Sequence, residues 1–277
     1  MQPETLFGLA LGITPPWHVK VAEFSADSGQ LDLYLDFKRG ARFSCPSCGA
    51  VGAKPYDTTE DTWRHMNFFQ YKTYLHARVP RVECPQGCGV KLVAVAWARP
   101  DSGFTQLFEA YLMVLLREMP VATVADLVGE HDTRLWRVLH HYVEHARTQE
   151  DFSDVQKVGV DETSSRRGHR YITVFADLEK AKVIFATEGK DAQVVVAFKH
   201  DLEAHKGQAE RVQEVCCDMS PAFITGFEDS FPTAQLTFDK FHVTKVLNDA
   251  VDQVRREEQR QRPELNKSRY LWLTNPS

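Results

Sequence analysis

The 277-residue chain has no apolar run approaching the roughly 20 residues that a membrane-spanning helix needs. Its first residues, MQPETLFGLALGITPPW, carry an apolar patch without a basic leader or a clear cleavage site, which argues against a secretory signal. An excess of positive charge is also missing. The formal net charge is −5, which weighs against nucleic acid as a partner on the total while leaving room for local basic patches. Cysteine is scarce, with six residues in three close pairs, and four of them have metal-ligand spacing, which points to thiolate ligands in a cytosolic protein rather than to a disulfide framework. These absences place the chain among soluble, cytoplasmic proteins. The 43% hydrophobic and 26% charged fractions are ordinary for globular domains, and the length allows two or three of them.

Period-two alternation in Trp17–Val21 and Leu31–Phe37, with Ser28-Gly29 between them, predicts a half-buried antiparallel hairpin within a β-rich segment reaching about residue 44. Directly after it come Cys45-Pro46-Ser47-Cys48-Gly49 and, beyond another alternating segment (Tyr71–Val82), Cys84-Pro85-Gln86-Gly87-Cys88-Gly89. Each knuckle has Pro after its first Cys and Gly after its second, which lets backbone amides turn toward sulfur. Four thiolates on two such loops make a closed tetrahedral site, so Cys45, Cys48, Cys84 and Cys88 are predicted to hold structural zinc with no position open for chemistry. Adjacent Cys216 and Cys217 read instead as buried strand residues.

From Gly103 the apolar period becomes helical: Phe104, Leu107, Phe108, Tyr111, Leu112, Leu115 and Leu116 predict a helix to about Glu118, broken by Pro120. Val121–Gly129 and Thr133–Arg147 read as two more helices, with Asp132 as N-cap of the second. Small Ala125, turn-forming Gly129, and apolar Leu135 and Val138 have the spacing of a helix-turn-helix. Its recognition helix would offer Thr133, Arg134, Arg137 and His141 to a groove or to phosphates. A generic three-helix packing unit fits the same pattern, and acidic Glu130, Asp132 and Glu144 suit it.

Lys157–Asp177, KVGVDETSSRRGHRYITVFAD, reads as a hairpin whose first strand ends on Asp161, with a polar turn over Thr163–His169. Three antiparallel strands are then followed by helix, strand, helix, strand, helix, the order of an RNase H-like mixed sheet. Asp218 ends the fourth strand. If that strand lies beside the first, Asp161 and Asp218 meet at one edge as hard oxygen ligands suited to magnesium or manganese and a phosphate-bearing substrate. Asp239 and His242, at the end of the next strand, are candidate supporting groups. Asp218 reads equally as a turn residue ahead of Pro221, and Asp239 as a helix cap with His242 in the first turn.

The knuckles, the helical segment 121–147, GVDETSSRRGHRYITVFAD, and CCDMSPAF followed by FDKFHVTKVLNDAVDQVRR together resemble transposases of the ISL-three family of insertion sequences. The resemblance implies a multidomain α+β chain: a β-rich zinc ribbon (1–100), a helix-turn-helix DNA-binding domain (101–150) and an RNase H-like catalytic core (151–277). It implies double-stranded DNA at transposon ends as partner, a homodimer when assembled, a nucleoid-associated location, and Asp161 and Asp218 as the first two acids of a DDE site. The family's third acid lies beyond the position of Ser277. Glu257, Glu258 and Glu264 lack its context, so the resemblance implies a C-terminally truncated copy with impaired cleavage and strand transfer, or a DNA-binding regulator or transposition inhibitor keeping an inactive core.

Overall fold

The computed structural model describes residues 2–166 and 170–272 and divides into two compact units, Met1–Glu144 and His145–Ser277. No helix among the described residues is long and apolar enough to cross a membrane.

The first unit opens with a helix, α1 (Pro3–Ala10), where a β-rich start was expected. Pro3 at the first helical turn needs no backbone donor there, and Phe7 packs into the sheet core. Strands β1 (Trp17–Ser25) and β2 (Gln30–Phe37) form the expected hairpin. A long strand, β3 (Pro55–Phe68), pairs antiparallel with β4 (Tyr71–Glu83), and β5 (Val90–Leu92) adds to β4. The order is β1-β2-β4-β3, with β2 and β4 parallel. β3 escapes sequence inspection because most of it is polar: only Trp63 and Arg64 are buried along its fourteen residues.

Three helices follow in the same unit: α2 (Gln106–Glu118), α3 (Val121–Val128) and α4 (Asp132–Arg147), whose last turn crosses the division. Ala125, Leu135 and Val138 are all buried in one cluster with Phe104, Phe108 and Leu112. Gly129 has φ +67°, the left-handed cap that ends α3, and a side chain there would strike Lys72. Asp132 is the first residue of α4 rather than its cap. The ring Nδ1 of His131 takes the capping role, accepting from Thr133 N at 3.3 Å.

Arg64, 1% exposed, lies under these helices with Nε 3.3 Å from a Glu130 carboxylate oxygen, and its guanidinium sits over the Phe108 ring. Beside it, burial pushes the His65 imidazole down to about 4, the Arg64 charge adding to the effect. The Thr105 hydroxyl accepts from Phe108 N to cap α2, which leaves its proton for His65 Nδ1 at 2.8 Å.

The second unit is built from β6 (Lys157–Arg166), β7 (Arg170–Asp177), β8 (Lys182–Glu188), α5 (Ala192–Ala204), β9 (Glu214–Cys217), α6 (Pro221–Ser230), β10 (Gln235–Phe238) and α7 (Lys240–Glu258). Sheet order is β10-β9-β6-β7-β8, with β6, β7 and β8 antiparallel and β10, β9 and β6 parallel. That is the RNase H-like arrangement expected from the element order. One face is covered by α5 and α6 through Val194, Phe198, Phe223 and Phe227. Phe175 stacks on Phe198 at 4.3 Å between ring centres.

The hairpin is longer than its polar sequence suggested. β6 runs through Thr163 and Ser164, paired with Ile172 and Tyr171, and on to Arg166; residues 167–169 of the expected turn lie outside the described residues.

His65 carries a pH signature. Its folded pKa lies below the unfolded value, so the folded chain binds fewer protons between about pH 6.5 and 4, and stability falls as pH drops through that window. From pH 7 to 5 this loss amounts to about 2 kcal/mol. Urea unfolding of the zinc-loaded chain at both pH values should show that loss in the wild type and a smaller one in His65→Gln.

Candidate metal and catalytic sites

The two cysteine knuckles converge. The sulfurs of Cys45, Cys48, Cys84 and Cys88 lie within 4.8 Å of one another, with Cys48 and Cys84 at 3.5 Å. Four thiolates around zinc stand about 3.8 Å apart, from a Zn–S bond of about 2.3 Å in tetrahedral geometry. The donor set therefore fits zinc. In the first knuckle Gly49 N donates to Cys45 O at 2.8 Å; in the second Gln86 N donates to Cys84 Sγ at 3.3 Å. The Cys88 and Gln86 amides pull the Cys84 thiol down to about 6, while neighbouring Cys48 and Cys84 push Cys88 up to about 12. Such crowding of negative charge is what a bound dication relieves.

In the second unit, the predicted acidic residues come together on the face of the sheet away from α5 and α6. Val158, Val160 and Phe175 point into the core, so Gly159, Asp161, Val174 and Ala176 occupy the opposite face. With Leu178, Cys216, Asp218, Asp239 and His242 they line an open pocket of ≈ 270 Å³. A side chain on Gly159 would come within 2.6 Å of Leu178, so glycine keeps this floor low.

Asp161 does not close its strand: it is the fifth of ten residues in β6. What ends is the neighbour. β9 pairs with β6 only over Lys157–Gly159, leaving Asp161 exposed just past the last paired residue. Asp218 is the first residue after β9 and Asp239 the first after β10. Because β6, β9 and β10 are parallel, Asp218 and Asp239 at the carboxyl ends of β9 and β10 fall on the same side as Asp161, which lies on β6 beyond the point where its pairing with β9 stops.

Their local bonds match the plainer readings as well. Asp218 Oδ1 accepts from Ser220 N at 2.5 Å in a turn before α6. Asp239 Oδ1 accepts from Phe241 N at 3.1 Å as the cap of α7, and its Oδ2 lies 3.0 Å from His242 Nδ1. Each carboxylate keeps acceptor capacity for a cation. Glu257, Glu258 and Glu264 do not line the pocket. Cys216, expected to be buried, is half-buried and faces it, while Cys217 is fully enclosed and burial pushes its thiol up to about 11.

Within α4, Leu135 and Val138 are buried and Tyr142 packs against them, so the opposite face carries Thr133, Arg137 and His140, flanked by Trp136 and His141. Arg134 is turned away from that face. It pairs with Glu130, donates to Gly103 O at 3.1 Å and stacks over Phe104 at 4.1 Å, so the structure assigns it to the fold rather than to a groove. The i,i+4 spacing of Glu130 and Arg134 is a signal of the ion pair, but the contacts with Gly103 and Phe104 have none in the local pattern. Trp136, 45% exposed on a recognition-type helix, was not singled out from sequence, although an aromatic between two polar turns is its signal.

Three family models match consecutive parts of the chain. The zinc finger of transposases IS204/IS1001/IS1096/IS1165 matches residues 41–88, the helix-turn-helix domain of transposase family ISL3 matches 93–143, and the ISL3 DDE transposase domain matches 158–277. Among curated proteins, the transposase for insertion sequence element IS1001 of Bordetella parapertussis is 29% identical over 96% of this chain and 67% of its own length. That for IS1557 of Mycobacterium tuberculosis is 28% identical over 92% and 58%. The chain thus spans about three-fifths to two-thirds of these relatives. A solved HTLV-2 integrase catalytic core with magnesium aligns at 13% identity over 42% of this chain and 83% of its own, with a TM-score of 0.25, too low to bear on the fold.

The four-sulfur site predicts one zinc per chain. Cobalt substitution should give tetrahedral thiolate absorption, and Cys84→Ser should lose the metal and the ordered first unit, read by metal analysis and near-ultraviolet dichroism.

Proposed function

We propose that this chain, which belongs to the ISL3 transposase family, binds duplex DNA through its first unit and carries a divalent-metal phosphodiester-transfer site in its second. The observation that carries the catalytic half is the shared pocket of Asp161, on β6, with Asp218, Asp239 and His242, which follow the ends of the parallel strands β9 and β10. Asp161 and Asp218 would hold magnesium or manganese, which supplies charge stabilisation and an activated hydroxyl for in-line displacement. Asp239 accepts from Nδ1 and orients the His242 ring, so that in the imidazolium form Nε2–H would donate to a phosphate oxygen of the strand being cut. The open pocket admits a backbone rather than enclosing a small molecule, and the small residues Gly159 and Ala176 let that backbone approach the acids.

The three-part division (1–100, 101–150, 151–277) is retained as a functional one: metal ribbon, DNA reader, phosphodiester site. Thr133, Arg137 and His141 remain the DNA-facing candidates, joined by Trp136 and His140. Joining two DNA ends calls for two active sites, so the acting form would be a homodimer on DNA, nucleoid-associated in a bacterial cytoplasm. A second possibility is a DNA-binding regulator or transposition inhibitor whose core no longer cuts: among the described residues no glutamate joins the aspartates lining the pocket.

Manganese binding followed by electron paramagnetic resonance separates the two. The phosphodiester-transfer site predicts saturable manganese uptake weakened about tenfold or more in Asp161→Asn and Asp218→Asn. Uptake unchanged by either substitution leaves the regulator. For DNA, Arg137→Ala should weaken binding of a duplex selected from a randomised pool and lower the slope of log affinity against log salt by about one. An unchanged slope removes Arg137 from the interface.

A further inference from the structure

The β3–β4 hairpin carries features that neither the zinc site nor the sheet core uses. Between Asp61 and Glu83 the chain has no carboxylate. The stretch holds Arg64, Lys72, Arg78 and Arg81 interleaved with Trp63, Phe68, Phe69, Tyr71 and Tyr74. Arg78 and Arg81 are answered by Asp36 and Asp57, and Arg64 by Glu130. Lys72, next to the tip, has no ion-pair partner among the described residues and donates to Gly129 O at 3.1 Å. That bond sets the hairpin tip beside the turn of the helix-turn-helix.

At the tip, Phe68 pairs with Tyr71 and leaves a two-residue turn, Phe69-Gln70. Phe69 has φ +52° and is 81% exposed. Hairpin turns with a left-handed first residue select Gly or Asn there, because a β-carbon clashes. An aromatic ring in that place strains the backbone, and its exposure gains no burial in return. The ring is not loose: Phe68 holds it edge-on at 4.8 Å and is itself packed against Phe7 at 5.3 Å and Phe24 at 6.0 Å. Strain kept at an exposed, rigidly backed position is the observation from which a functional contact is argued.

Apolar side chains presented this way enter DNA between base steps, partly unstacking them and bending the duplex, with flanking cations on the phosphates. We propose that Phe69 is a wedge that inserts at a base step of the duplex engaged by α4, with Lys72 beside it toward the backbone. The inference rests on the first unit binding DNA. It names a contact outside both the helix-turn-helix and the metal sites.

The test uses the full zinc-loaded chain and a duplex selected from a randomised pool by the wild type, with 2-aminopurine substituted at successive positions. The wild type should brighten 2-aminopurine at one step beside the helix-turn-helix footprint. Phe69→Asn should abolish that signal and weaken binding about tenfold or more, as loss of one stacked aromatic does. Its melting temperature should be equal or higher, because Asn tolerates the left-handed turn. Phe69→Trp should keep both signal and affinity. Wild-type brightening that survives in Phe69→Asn, or affinity lost without any brightening in the wild type, overturns the wedge. Failure of the wild type to select any duplex overturns the DNA-binding proposal itself, and the wedge with it.

Discussion

The first unit depends on one buried charge. Arg64 sits on β3 at 1% exposure, and its guanidinium needs partners that the sheet alone does not supply. Its two Nη groups find them in the His65 and Thr73 carbonyls and the Asn67 side chain, while Nε makes no hydrogen bond among the described residues and faces Glu130, in the turn between α3 and α4, as an ion pair at 3.3 Å. Removing one member of such a pair costs about 3–5 kcal/mol, because the other charge is left buried. Glu130 in turn holds Arg134, and Arg134 covers Phe104 at the entry to α2. The helices thus meet β3 through this ion-pair and stacking chain together with the backbone bonds between Arg64 and Gly103 and Thr105.

The second unit uses a different constraint, the shortness of β9 and β10. Each is four residues long, so the chain leaves the sheet early, with Asp218 and Asp239 as the residues where it turns. β6 continues past them and keeps Asp161 on a rigid strand. One carboxylate is positioned by the ladder and two by turn hydrogen bonds. Turn hydrogen bonds leave both aspartates a second oxygen: that of Asp239 meets His242 Nδ1, and Asp218, held through Oδ1 by Ser220 N, keeps Oδ2 as a further acceptor.

Patterns that are local and periodic were legible in the sequence. The knuckles, the Ala125–Gly129–Leu135–Val138 spacing and the strand and helix order after Lys157 predicted the metal site, the helical triad and the sheet topology, because each is dictated by neighbours in sequence. Features set by distant partners were not. β3 is polar on both faces over most of its length and shows no alternation. Arg134 has an i,i+4 carboxylate in Glu130, but the contacts that hold it against the fold, Gly103 O and the Phe104 ring, are some thirty residues away. Asp161 looked terminal because the turn-like residues Thr163 to Arg166 are in fact strand, paired with β7. The wedge position at Phe69 needs a backbone angle to be seen at all.

The chain enters the long β3–β4 hairpin just after Cys48 and leaves it just before Cys84, so the four sulfurs tie together the open end of the hairpin. A one-residue slip between the two strands would exchange the faces of Trp63 and Arg64, taking the indole out of the sheet core and turning the guanidinium away from Glu130. The same slip would draw the knuckles apart by about 3.3 Å, far outside what a tetrahedral ion tolerates. The zinc site, usually regarded as a local staple, thus acts as a register pin for a strand whose sequence specifies register poorly, and it fixes which side chain reaches the far tip.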